Sequence, residues 1–170
     1  MPKPIRVLLV EDEFMIAMCQ KMQLADVGYE VVDCVSRGED AVNHAIENHP
    51  DIILMDIQLK GGMNGIDAAK KIQEKTAIPL IYLTANADEA SFQKAKETKP
   101  YAFISKPFNK LNLERTIELV AEKIKEEKIR QKVAQLKERQ DESVLQSIRE
   151  YEEFKEQMAK DKAATGLEKK

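Results

Sequence analysis

Ile52-Ile53-Leu54-Met55-Asp56-Ile57-Gln58-Leu59 is the stretch on which the reading of this chain turns. Its first four residues are all apolar, a run too short for a helix and too continuous for a strand with one wet face. Such a run fits a strand buried on both faces, as in a parallel sheet. An aspartate closing it stands at the sheet's carboxyl edge, where open α/β sheets gather their functional groups. Ile5 to Val10, Glu30 to Val35, Pro79 to Leu83 and Ala102 to Ile104 repeat the form. Segments of helical period lie between them, at Phe14 to Asp26, Gly38 to Asn48, Ile66 to Glu74, Ala87 to Thr98 and from Leu113 onward. Strands alternating with helices in this way predict an α/β domain with a five-stranded parallel sheet. Ile16, Met22 and Leu24 supply the apolar face of the first helix, and Gly28 stops it. Asn112 is placed to cap the last, whose apolar face includes Ile117, Val120 and Ile124.

Composition narrows the function. Apolar residues make up 43% of the 170, enough for a core. The 27 basic and 30 acidic side chains leave a formal charge of −3 with no strongly basic stretch, which argues against direct binding of nucleic acid. Cys19 and Cys34 have neither CxxC spacing nor histidines to complete a metal site, and read as small buried residues in a reducing cytosol. No apolar run approaches the roughly 20 residues of a spanning helix, and the N-terminus lacks the long apolar region of a signal peptide. A cytoplasmic protein without a membrane partner is expected. His44 and His49, five apart, do not share a helix face and read as surface residues outside any phosphodonor setting. The Gly61-Gly62 pair lacks the GxxxxGKS/T pattern of a nucleotide loop and reads as loop flexibility.

Residues 1–124 form the globular domain in this reading, and residues 125–170 a charged amphipathic helix. Half of that second segment is Asp, Glu, Lys or Arg, so it has no core of its own. Yet Ile129, Val133, Leu136, Val144, Ile148, Tyr151 and Met158 recur mostly at spacings of three or four, with no Gly or Pro before Gly166. One long C-terminal helix is predicted, with a break in heptad phase between Leu136 and Val144, near Gln140. Standing alone it would leave its stripe exposed, so a parallel two-helix coil and a homodimer are expected.

The residues just after each strand carry the chemistry: Glu11 and Asp12, Asp56, Thr84 and Lys106. Any one is ordinary, but three acids, a hydroxyl and an amine at one edge are a specific combination. Clustered carboxylates repel unless a hard divalent cation sits among them, and Mg²⁺ is the natural occupant. With the cation present, one carboxylate keeps an oxygen free to attack phosphorus, while Lys106 offers a charge and Thr84 a hydroxyl to phosphate oxygens.

LLVEDE, ILMDIQL, LIYLTA and FISKPF, in this order, resemble the receiver domain of two-component response regulators, CheY-like proteins, over about the first 124 residues. The resemblance implies a flavodoxin-like strand order 2-1-3-4-5 with helices on both faces. It implies that Asp56 accepts the phosphoryl group and that Glu11 and Asp12 are the acidic pair at the metal, with Asp12 the direct ligand. The backbone carbonyl of Gln58 matches the third protein ligand to Mg²⁺. Thr84 matches the hydroxyl that turns toward the phosphoryl group, Phe103 the aromatic switch, and the Lys106–Pro107 bond one that is usually cis. Lys99-Pro100 and the QLKGGMNG loop depart from the family's usual residues, so a more mobile loop is expected. Phe103 lacks a tyrosine's hydroxyl, leaving ring burial alone to drive the switch.

The function so implied is a response regulator, phosphorylated by a sensor histidine kinase or a phosphotransfer protein and altering its partner or dimer contacts. Turnover of another substrate is not expected. A phosphohydrolase needs an acid/base aspartate two residues after its nucleophile, and Gln58 stands there, so only slow self-hydrolysis is anticipated. A phosphorylation-independent scaffold assembled through the C-terminal helix is the other rival. The complete set of five pocket residues argues against it.

Overall fold

The apolar runs are strands β1 (Arg6–Val10), β2 (Glu30–Val35), β3 (Ile52–Asp56), β4 (Leu80–Thr84) and β5 (Ala102–Ser105). Helices α1 (Phe14–Val27), α2 (Gly38–Asn48), α3 (Gly65–Gln73) and α4 (Glu89–Glu97) alternate with them. The strands pair parallel in the flavodoxin-like order β2-β1-β3-β4-β5. This computed structural model describes residues 4–85, 89–138 and 142–165. Two compact units divide the chain, Met1–Ala121 and Glu122–Lys170. Among the described residues no helix is long and apolar enough to cross a membrane.

The first unit holds the sheet. Every residue of β3 is buried, and Val7 to Val10 of β1 are fully so, as strands covered on both faces must be. α1 ends at Gly28, whose φ of 93° is a left-handed conformation that glycine adopts without penalty. The first helix departs from its expected face. Ala17, Gln20 and Leu24 are its buried residues, while Met22 is 65% exposed beside the exposed Phe14, Met15 and Met18. The cysteines depart too, Cys19 being exposed and Cys34 half-buried. His49 is on the surface, whereas His44 is half-buried and paired with Asp33.

Helix α5 (Lys110–Glu138) crosses the boundary between the units. Its cap is Asn109, whose Oδ1 accepts the Asn112 N–H at 2.9 Å, so Asn112 lies inside the first turn instead of capping it. The long C-terminal helix is described as α5 up to Glu138 and as α6 (Glu142–Thr165) beyond the residues that are not described. Residues 139–141, and with them the expected phase break at Gln140, lie outside the described residues. In α6, Tyr151, Phe154 and Met158 are exposed at helical spacing.

Two features place the loop after β3. Gly65, the first residue of α3, donates its N–H to the Ile57 carbonyl at 3.1 Å, and a Cβ there would run into the Asp56 carbonyl oxygen. Only glycine lets α3 begin this close to the strand. Asn64 then caps the helix, accepting the N–H groups of Ile66 and Asp67.

Tyr82 lies wholly inside the core, its hydroxyl 3.0 Å from the Thr98 hydroxyl, which itself donates to the Ala95 carbonyl at 2.7 Å. Burial pushes the Tyr82 phenol up to about 12, the Thr98 contact opposing this only in part. Tyr82→Phe should cost about 1 kcal/mol at neutral pH, read by urea unfolding. In the wild type the unfolded phenol ionises near 10 and the folded one only near 12, so stability should fall as pH rises through that window. The variant should fall less steeply, keeping only the loss from Lys106, raised by its carboxylate partners, and Tyr29, raised by burial.

Candidate functional site

Register brings the strand ends together. Val10 pairs with Met55, Asp56 with Leu83, and Thr84 with Ser105. Glu11 and Asp12 after β1, Asp56 closing β3, Thr84 closing β4 and Lys106 after β5 therefore share one edge of the sheet.

Asp56 is buried, and its two oxygens have different donors. Oδ1 accepts the Gln58 backbone N–H at 2.8 Å, and Oδ2 accepts the Lys106 ammonium at 2.6 Å. The same ammonium donates to Glu11 Oε2, while Glu11 Oε1 accepts the Glu13 N–H at 3.2 Å. Asp12 meets a second lysine: its Oδ2 lies 3.4 Å from both the backbone nitrogen and the Nζ of Lys60. Thr84 is half-buried, and its carbonyl accepts the Lys106 N–H at 2.7 Å. The Gln58 side chain is exposed, and the Lys106–Pro107 bond is cis.

Burial pushes the Glu11 carboxyl above the usual range, and Lys106 pulls it back only in part. Burial alone would lower Lys106, but its hydrogen bonds to Asp56 and Glu11 outweigh that and hold the ammonium above the ordinary lysine value. Around the pocket, three carboxylates face two ammonium groups, which leaves room for further positive charge.

Phe103 on β5 sits between two rings. Its centroid is 5.5 Å from that of Tyr82 and 4.8 Å from that of Phe92 on α4. Half-buried, it packs against the core cluster.

One oxygen from each of Glu11, Asp12 and Asp56 lies within 4.8 Å of the others, the one group of potential metal ligands among the described residues. Hard, anionic oxygens at that spacing suit Mg²⁺. Beside them is an orphaned polar atom: Gln20, only 3% exposed, holds Nε2 3.4 Å from Glu11 Oε2, and its Oε1 has no partner among the described residues. The pocket's chemistry thus fits a hydrated divalent cation. Lys60 and Gln20 were not singled out by sequence. An exposed loop lysine and a mid-helix glutamine carry no signal until the fold sets them beside Asp12 and Glu11.

Known proteins resemble this chain in sequence and fold. The transcriptional regulatory protein PdtaR of Mycobacterium tuberculosis is 35% identical over 123 residues, covering 72% of this chain. The chain spans only 60% of that relative's length. The receiver domain of sensor histidine kinase PA1611 of Pseudomonas aeruginosa, solved with a magnesium ion coordinated in its active site cleft, has a TM-score of 0.64 and 28% identity over 70% of this chain and 99% of that one. A structure in which part of the trimeric coiled coil of yeast Spc42 is fused to another structure has a TM-score of 0.76 and 27% identity, covering 94% of this chain and 99% of that one. Matched from residue 7 to residue 118 by the family model of the response regulator receiver domain, the chain belongs to that family.

Proposed function

We propose that this chain is a phosphorylation-switched response regulator in which Asp56 takes a phosphoryl group from the histidine of a sensor kinase or a phosphotransfer protein. The observation that carries the reading is the double anchoring of the Asp56 carboxylate, by Gln58 N–H on one oxygen and Lys106 on the other. An Asp56 oxygen attacks phosphorus, the phosphorus–nitrogen bond of the donor breaks, and an acyl phosphate forms as the imidazole leaves. Lys106 and the Thr84 hydroxyl then bond the phosphoryl oxygens. Mg²⁺, held by Glu11, Asp12, Asp56 and the Gln58 carbonyl, would neutralise the charge that gathers there.

No other substrate is turned over in this reading. Gln58 is neither acid nor base at neutral pH, so the acyl phosphate persists and acts as a timer. With Mg²⁺ and acetyl phosphate, the protein should gain one acid-stable, base-labile phosphoryl group. Asp56→Asn should reduce labelling by at least about a hundredfold, and chelation of the metal nearly as much. Labelling that persists in the Asn variant sinks the assignment.

The switch runs from Thr84 to Phe103, whose ring becomes more buried as Thr84 turns inward and so alters the surface formed by α4 and β5. Beryllofluoride with Mg²⁺ should therefore shift the Phe103 ring resonances in an NMR spectrum. Unchanged resonances in a filled pocket would place the coupling elsewhere.

The helical segment after residue 124 assembles the protein, most simply as a homodimer through a two-helix coil, with the receiver setting its geometry. The coverage of that segment by the coiled-coil fusion supports assembly. The balanced charge of the chain supports a protein partner over nucleic acid, and its reaction a cytoplasmic setting. In sedimentation equilibrium at tens of micromolar, the full chain should run as a dimer and a version ending at Glu122 as a monomer. Two monomers exclude the coil, and a trimer reassigns its order.

A further inference from the structure

Gln20 stands where α1 otherwise buries Ala17 and Leu24, at a position that an aliphatic residue would fill without cost. Instead the helix buries an amide, 3% exposed, and leaves its carbonyl oxygen without a hydrogen bond among the described residues. A buried polar atom with no partner is unfavourable, so the sequence keeps this one against the trend of its own core. The orientation of the amide is forced by its neighbour. Glu11 Oε2 is an acceptor, so the end facing it at 3.4 Å must be the Nε2 donor and the other end the acceptor.

Glu11 is thereby held from three sides: by Lys106 and Gln20 at Oε2, and by the Glu13 N–H at Oε1. Lys106 also bonds Asp56, the group that must react, so it is not dedicated to Glu11. Gln20 touches nothing else in the pocket that the structure records. It fixes the carboxylate from the core side, whatever Lys106 is doing on the other.

We infer that Gln20 is a positioning residue for the divalent-cation site, acting through Glu11: its Nε2 orients the carboxylate from the core side. Groups that orient a metal's ligands raise affinity without touching the metal. This rests on the reading of the pocket as a Mg²⁺ site.

The test is a Mg²⁺ titration of the chain of 170 residues, followed by backbone amide shifts around Asp56, alongside a thermal melt of each variant. Gln20→Met keeps the length of the side chain and removes the amide. Its Mg²⁺ dissociation constant should rise about tenfold while its melting temperature stays level or rises. Gln23 on the same helix also has a buried, unpaired Oε1, so Gln23→Met is the control and should leave the Mg²⁺ constant unchanged. A Gln20→Met constant within twofold of wild type overturns the inference and leaves the Mg²⁺ reading standing. A wild-type chain that does not bind Mg²⁺ overturns both. Should Gln20→Met melt well below wild type, Gln20→Leu is the second variant; if both are destabilised, the amide serves the fold and the positioning role fails.

Discussion

The ammonium of Lys106, 11% exposed, bonds carboxylates from the ends of two different strands, and the electrostatics of the pocket follow from that double contact. Buried ammonium and buried carboxylate are each unfavourable alone, and breaking such a pair by removing one partner costs about 3–5 kcal/mol. Here one lysine compensates Glu11 and Asp56 together, tying β5 to β1 and β3 across the carboxyl edge. The arrangement satisfies the fold but not the full charge of the pocket. Asp12 is left to Lys60, whose side chain is 79% exposed and contributes little that solvent does not screen. Asp12 is therefore the carboxylate most easily turned to a cation, while Glu11 and Asp56 stay anchored.

The sheet was legible because burial on both faces leaves a strong mark. A run such as Ile52 to Met55 has few alternatives once helical segments flank it, and strand ends then fall within a residue or so of the pattern. Glu11, Asp12, Asp56, Thr84 and Lys106 were legible for a related reason: each immediately follows or closes a strand, so topology alone brings them to one edge. What pattern reading missed lies mostly on helices and loops. Met22 looked like core, but the buried stripe of α1 runs through Ala17, Gln20 and Leu24, leaving the larger apolar side chains outside. Side-chain size argues for burial; position on the helix decides it. The cysteines erred too, Cys19 lying on the exposed side of α1 and Cys34 half-buried on the edge strand β2.

The cap of α5 shows a finer limit. Asn109 and Asn112 both suit an N-terminus, and sequence offers no way to choose between candidates three residues apart. The choice falls to Asn109 because Lys110 and Leu111 already belong to the first turn. Gln20 was invisible for another reason. A glutamine in mid-helix is ordinary until the neighbour across the core proves to be a carboxylate.

Gly65 bears on how this protein can vary among its relatives. The segment between Ile57 and Gly65 is closed at both ends, by the Ile57 N–H on the Leu83 carbonyl at 3.2 Å and by the Gly65 N–H on the Ile57 carbonyl. Closing a somewhat longer loop between fixed ends adds only a few tenths of a kcal/mol, so residues added between Lys60 and Met63, at Gly61 and Gly62, are cheap. Residue 65 has no such latitude, since any side chain there displaces the backbone of Asp56 itself. Lineages of this chain should therefore drift freely in the length of that loop and stay monomorphic at the glycine that ends it.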